Sequence, residues 1–358
     1  MINVTKTFLP PFEEYTALLK RAWGKGWITN NGELVQELEQ ELKDYLGVKN
    51  LLFASNGTIV LQMALKVLNI TKEVITTPFS YVATTNCILW EGCQPVFVDI
   101  DPTTYCIDAD KIEAAITDNT QAIMATHVYG IPCDVERIAA IASKYNLKVI
   151  YDGAHAFGCS YKGKSLLSYG DISTCSFHAT KLFHTVEGGC IIANDDATNH
   201  QLMLYRQFGH VYDDYFSMGV NGKNSEFHAA MGLCILPKVG DIIENRKEAW
   251  LQYNEVLSVL TKTLFIQPEL SYNYAYYSIL LRTESQLLYV FDMLKQNDIN
   301  ARRYFYPSLN ELPFIKKSQS CPISEDISRR VLCLPLYYGI DDRNLTLITE
   351  CIVKCITC

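Results

Sequence analysis

Short apolar runs alternate with stretches of helical periodicity along the first half of the chain. Leu51–Ala54, Val74–Thr77, Pro95–Asp99, Ala122–His127, Lys148–Tyr151, Ser173–Phe177 and Cys190–Ala193 read as strands. Between most of them, Thr58–Leu68, Ser80–Trp90, Asp108–Ile116 and Asp134–Tyr145 repeat their apolar positions with a helical period. This alternation predicts a mostly parallel sheet with helices on both faces. In such sheets ligands gather beyond the carboxyl ends of the strands. Candidate chemistry is therefore sought at those ends.

The pattern changes after Pro237. VGDIIENRKEAWLQYNEVLSVL reads as a long helix, NYAYYSILLR as a β-rich piece and SQLLYVFDMLKQND as a helix. The division predicted is a large α/β domain over 1–237 and a smaller α+β domain over 238–358. Near the front, GWITNNGELVQELEQELKDYLGV carries a helix stripe of Leu34, Leu38, Leu42, Tyr45 and Leu46, with Asn30 or Asn31 as its expected cap.

Composition narrows the classes. The chain has 358 residues, 49% hydrophobic and 20% charged, enough for a large core. Its net charge is −8 and no dense Lys/Arg run appears, so nucleic acid is not an expected partner. No apolar run approaches the ~20 residues of a membrane span, and the first residues lack the order of a signal peptide. Thirteen cysteines without an export signal point to reduced thiols and a cytoplasmic location. Cys351, Cys355 and Cys358 have a spacing that suits an iron–sulfur cluster. The same spacing is one face of a closing helix, LTLITECIVKCITC, where cysteine packs as a small hydrophobe; that reading is preferred.

Three strand ends carry candidate chemistry. Ser55-Asn56-Gly57-Thr58 opens a helix, where free N–H groups and hydroxyls bind anions, or where Asn56 or Ser55 is an ordinary cap. Asp152 closes an apolar strand and leads into DGAHAFG with His155; it is a loop cap or a buried carboxylate facing a cation. Lys181 follows another strand in SFHATKLFHTVEGG. It is a solvated charge or an amine made reactive by burial or imine formation. An anion site, an acid and an amine together suggest pyridoxal phosphate. His178 and His184 flank Lys181 without an acid partner and make a poor metal site, so no metal is expected.

SNGTIVLQMAL, PFSYVATTNCI, YDGAHAFG, SFHATKLFHTVEGGCIIAND and GVNGKNSEFHAAMG, in that order, resemble the DegT/DnrJ/EryC1/StrS family. The likeness runs from GWITNNG to ARRYFYP. It implies a fold-type I aminotransferase with a seven-stranded, mostly parallel large sheet, using pyridoxal 5′-phosphate on nucleotide-linked keto sugars. Lys181 then matches the lysine that carries the cofactor, and Asp152 the acid at its ring nitrogen. His155 matches the residue near the ring hydroxyl, and Tyr81 the aromatic stacked on the ring. Gly57, Thr58 and Ser176 match phosphate contacts. Asn221 matches an asparagine supplied by a neighbouring subunit, which implies a homodimer.

The resemblance further implies glutamate as donor and dTDP-4-keto-6-deoxyglucose as favoured acceptor, for surface polysaccharide. Amination at carbon 3, or cofactor binding without transfer, remains as an alternative. His210, Lys223, Arg303 and Tyr306 are the substrate-contact candidates. Two departures stand out: Lys223-Asn224 replaces a frequent Arg-Met, and Gly32-Glu33 replaces a frequent Gly-Pro. Relatives that dehydrate sugars carry histidine at the cofactor lysine; Lys181 favours transamination.

Overall fold

The computed structural model describes residues 1–316 and 319–357. Seven strands form one sheet: β1 Leu52–Ala54, β2 Glu73–Thr76, β3 Gln94–Phe97, β4 Thr120–Thr126, β5 Lys148–Asp152, β6 Ile172–Ser176 and β7 Gly189–Ala193. Their order is β1-β7-β6-β5-β4-β2-β3. Only β7 runs against its neighbours; every other pairing is parallel. Each predicted run holds one of these strands, with the ends moved by a few residues.

Period-two alternation decides which side chain enters which layer. In β4, Ala122 and Met124 join the cluster under helices α3 (Gly57–Val67) and α4 (Val82–Trp90). Ile123 and Ala125 point the other way, towards α2 (Glu33–Leu46), α5 (Ala109–Ala115) and α6 (Val135–Tyr145). Helices thus bury both faces, and a sheet sealed on both sides carries near-continuous apolar runs.

The stripe forecast for α2 is buried at Leu34, Leu38, Leu42 and Leu46, while Tyr45 is exposed at the surface. Its cap is not Asn30 or Asn31. Both asparagines adopt left-handed backbone, and the N-cap is Gly32. The orphan N–H groups of Leu34 and Val35 donate instead to the carboxylate of Glu226, at 2.8 and 3.0 Å. Glu226 is only 1% exposed. A Cβ on Gly32 would fall 2.6 Å from its carboxyl carbon, so a larger residue here displaces the Glu226 carboxylate.

Beyond residue 237, α9 (Val239–Leu257), α10 (Glu284–Gln296) and α12 (Asp342–Thr357) pack with a three-stranded antiparallel sheet, Lys262–Thr263, Ser278–Leu280 and Val331–Cys333. Ile2 from the front of the chain joins that cluster. Conversely Tyr272, Phe305 and Cys333 pack into the main core. Cys351 and Cys355 are buried along α12 beside Ile348 and Ile352; Cys358 lies outside the described residues. Among the described residues no group of three His, Cys, Asp or Glu side chains is placed to hold a metal, and no helix is long and apolar enough to cross a membrane.

Candidate active site

The carboxyl ends of β5 and β6 and the starts of α3 and α4 surround a cavity of about 260 Å³. Gly57, Thr58, Tyr81, Asp152, His155, Ser176 and Lys181 all line it. Parallel strands point their carboxyl ends the same way, so residues distant in sequence meet there.

Asp152 ends β5 and is 5% exposed. One carboxylate oxygen accepts from the Thr84 hydroxyl at 2.7 Å and the other from the Ala154 N–H at 3.1 Å. Thr84 in turn meets the Ser80 hydroxyl at 2.8 Å, and Thr126 donates to Ser80 at 3.1 Å. With Asp152 ionised, each hydroxyl must donate towards it, giving a relay Thr126, Ser80, Thr84, Asp152. Burial raises the Asp152 pKa above the usual carboxylate range; the Thr84 and Ala154 hydrogen bonds and the Lys181 charge oppose it. A cation facing the free side of this carboxylate is what such a site lacks.

His155 accepts from the Tyr129 N–H through Nδ1 at 3.2 Å. A backbone N–H can only donate, so the ring carries its proton on Nε2. Burial pushes its pKa well below the ordinary value, and the neutral ring stacks on Phe305 with centroids 5.6 Å apart.

At the start of α3 the structure shows the cap reading. Asn56 Oδ1 accepts from the N–H groups of Thr58 and Ile59, at 3.0 and 2.8 Å, as an ordinary cap. The helix still abuts Ser176 closely: a Cβ on Gly57 would lie 2.8 Å from the Ser176 Cβ. The hydroxyls of Thr58 and Ser176 line the same cavity. Gly189 performs a related job from β7, where a Cβ would stand 2.8 Å from the Asn56 carbonyl carbon. The second glycine of Glu-Gly-Gly therefore lets β7 pass directly behind this turn.

Lys181 is half-buried. Desolvation lowers its pKa, against the pull of Tyr304, Asp152, Cys175 and Tyr81, which favour the charged form. An amine shifted this way is neutral more often near physiological pH. His178, three residues before it, accepts from the Thr180 N–H through Nδ1 at 3.2 Å and turns Nε2 to Glu187 at 3.6 Å; both side chains line the cavity. His184 is buried and holds the Phe8 carbonyl through Nε2 at 2.7 Å, a packing role.

The remaining candidates stand outside this cavity. Asn221 is exposed and bridges Gln207. His210 bonds the Tyr212 carbonyl at 2.8 Å, and the Lys223 ammonium sits 5.1 Å over the Phe208 ring. Arg303 pairs with Glu284 at 2.8 Å and lies 3.4 Å over the ring of Tyr306. The neighbouring Arg302 lines the cavity instead, with Tyr276, Tyr304 and Phe305. Ser80, Thr84 and Tyr304 lie in segments that carry the family likeness but were assigned no role there, and Tyr276 lies outside them; the meeting of distant segments at the cavity reveals all four.

An amine whose pKa burial lowers, sharing a cavity with a desolvated carboxylate at the ends of a parallel sheet, suits an aminotransferase. Comparison with known proteins places it further. The DegT/DnrJ/EryC1/StrS aminotransferase family profile matches residues 12–353, and the chain belongs to that family. It is 41% identical over 359 aligned residues, 98% of each chain, to a dTDP-4-amino-4,6-dideoxy-D-glucose transaminase of Shigella dysenteriae. It is 34% identical to a GDP-perosamine synthase of Escherichia coli O157:H7, over 91% of each chain. Its fold superposes on a crystal structure of DesI with a TDP-sugar product at a TM-score of 0.94 and 30% identity, covering 99% of this chain and 93% of that one. The protein is a sugar aminotransferase acting on nucleotide sugars.

Proposed function

We propose that this enzyme moves an amino group from glutamate to carbon 4 of dTDP-4-keto-6-deoxyglucose, with pyridoxal 5′-phosphate as cofactor, in the cytoplasm, for surface polysaccharide. The observation that carries the chemistry is the meeting of Lys181 and Asp152 in one cavity. The choice of sugar rests on the 41% identity across nearly the full chain.

The cavity residues fit the cofactor. The close approach of α3 to Ser176 leaves Gly57 backbone and two hydroxyls facing an anion of phosphate size. Asp152 lacks a cationic partner on its open side, and a protonated pyridine nitrogen supplies one. The cofactor contributes an aldehyde that exchanges amines and a ring that takes up electrons. The protein does the rest. Asp152 holds the proton on the ring nitrogen, and the hydroxyl relay holds Asp152. Tyr81 and His155 limit the tilt of the ring. Lys181 takes a proton from the donor carbon and returns one to the sugar carbon. Fixing these groups beforehand removes the entropy cost of assembling them.

The enzyme works as a homodimer in this reading. Asn221 is absent from its own chain's cavity, and the segment before it exposes Tyr212, Tyr215, Phe216 and Met218, apolar side chains suited to a second copy. Residues 1–237 form the cofactor domain and 238–358 the smaller domain over it. The test is a panel of dTDP-, GDP- and UDP-linked keto sugars with glutamate, products weighed by mass spectrometry and the nitrogen located by NMR. Nitrogen on carbon 4 of a dTDP sugar is expected. Nitrogen on carbon 3, or preference for GDP or UDP, replaces the substrate; no transfer at all overturns the reading.

A further inference from the structure

The loop that carries Lys181 runs from β6 to β7 and is held from two sides. Residues near it in sequence hold it first. The Lys181 N–H donates to the His178 carbonyl at 2.8 Å and the Thr185 N–H to the Phe177 carbonyl at 2.9 Å. The Phe183 ring stacks on Phe157 with centroids 4.4 Å apart. Residues 7 and 8 hold it second. The Thr7 hydroxyl donates to the Ala179 carbonyl at 3.0 Å, and His184 Nε2 meets the Phe8 carbonyl at 2.7 Å. Ala179 stands two residues before Lys181 and His184 three after it, so the two contacts bracket the lysine.

A carbonyl can only accept, so His184 carries its proton on Nε2; its Nδ1 accepts from the Val186 N–H at 3.2 Å. Both ring nitrogens of this fully buried side chain are thus committed to backbone. An apolar ring of the same size would fill the space without holding either group. The other end of the segment is seated among the elements beyond residue 237. The Ile2 N–H donates to the Asp298 carbonyl at 2.7 Å, and the Ile2 carbonyl accepts from the Asn300 N–H at 2.8 Å. The Val4 carbonyl accepts from the Leu336 N–H at 3.1 Å, and Phe8 meets Tyr338 edge-on with centroids 5.1 Å apart. Val4 and Thr5 line, together with Lys181, Tyr276 and Tyr304, a second cavity of about 40 Å³. Residues 2–8 therefore form a strap from those elements to the Lys181 loop.

We propose that Thr7 and His184 are positioning residues for Lys181: they clasp the strap to the loop on either side of the lysine and hold its amine in the cavity. The role assigned to that amine rests on the aminotransferase reading. A reactive side chain works only when the residues behind it fix its position, and a small displacement costs rate more than binding. The strap supplies that support from a part of the chain more than 170 residues away.

The test sets variants that keep each contact against variants that lose it: Thr7→Ser against Thr7→Val, and His184→Gln against His184→Phe. Cofactor-free protein is treated with 4-pyridinecarboxaldehyde and cyanoborohydride over a series of pH values, and the label on the Lys181 peptide is followed by mass spectrometry. Tyr304, Asp152, Cys175, Tyr81 and His155 face the amine and are the same in every variant. Losing the clasp lets water reach the amine and relieves the burial that lowers its pKa. Capture should therefore move to higher pH in Thr7→Val and His184→Phe, while Thr7→Ser and His184→Gln stay with wild type. In the loaded enzyme, the variants that lose the contact should show kcat lowered roughly 10- to 100-fold, with KM for the keto sugar little changed. An unmoved capture profile overturns the proposal, whatever happens to the melting temperature. An equal shift in Thr7→Ser and Thr7→Val overturns it too. If His184→Phe fails to fold, the Thr7 pair decides, since Thr7→Val exchanges only a hydroxyl for a methyl. The expected shift in a protein whose wild type transfers no amino group strikes the aminotransferase reading and leaves the clasp standing.

Discussion

The Lys181 cavity and the hairpin before Asn221 are built on opposite terms. In the cavity, one chain supplies a buried carboxylate, a relay of three hydroxyls that holds it and an amine pushed towards neutrality. In the hairpin and just after it, Tyr212 is 91% exposed, Tyr215 76% and Phe216 63%, and Asn221 does not line the Lys181 cavity. The first region draws its hydrogen bonds from its own chain and leaves one side of Asp152 open; the second leaves apolar surface in water. In the proposed dimer the cavity carries the chemistry and the hairpin the contact with a second copy.

The largest effect expected is at Lys181. Lys181→Ala should lower turnover by roughly 10²- to 10⁴-fold or more from loss of proton transfer. Borohydride should fix cofactor to the peptide containing Lys181 in wild type and to no peptide in the variant; a label elsewhere breaks the description of the cavity. Asp152→Asn should cost about 10²-fold in turnover while circular dichroism stays native. It also carries a pH signature. The Asp152 charge raises the Lys181 pKa, so removing it lowers that pKa and leaves more neutral amine at a given pH. Capture of a simple aldehyde by the cofactor-free variant should therefore rise at lower pH than in wild type; a move to higher pH contradicts the electrostatic contact.

The comparison itself is tested by mixing. Asn221→Ala and Lys181→Ala, each nearly inactive, should together recover about a quarter of wild-type activity once subunits exchange, because half the dimers are hybrid and each has one intact site. No recovery with exchange verified by sedimentation makes the cavity self-sufficient and leaves the hairpin without a catalytic role. The smallest effect is at the cradle. Gly57→Ala places a methyl 2.8 Å from the Ser176 Cβ and should weaken cofactor affinity about 10-fold, read by fluorescence titration, with stability lowered by roughly 1–3 kcal/mol.

Much of the fold was legible because apolar periodicity is local. The strand runs and the four helices between them are found within a few residues of their forecast bounds. The cap of α2 was not legible. Asn30 and Asn31 were the local candidates, but the partner of Leu34 N–H is Glu226, 192 residues away, and nothing in either segment announces the other. The two adjacent arginines show the same limit. Both carry the same charge and similar surroundings in sequence, yet Arg302 lines the cavity while Arg303 is spent on Glu284 and Tyr306. One residue of rotation along irregular backbone separates the two fates.

By itself the sequence determined the sheet, its covering helices and the strand ends at which Asp152 and Lys181 stand, because side-chain period and chain order act over a few residues. Tertiary structure decided what those residues are. Burial moves the Asp152 pKa up and the Lys181 pKa down. Hydrogen bonds from Thr84 and Tyr129 fix a carboxylate and an imidazole tautomer. Desolvation and hydrogen-bond partnership depend on neighbours far apart in the chain, and so they come into being only when the chain has closed.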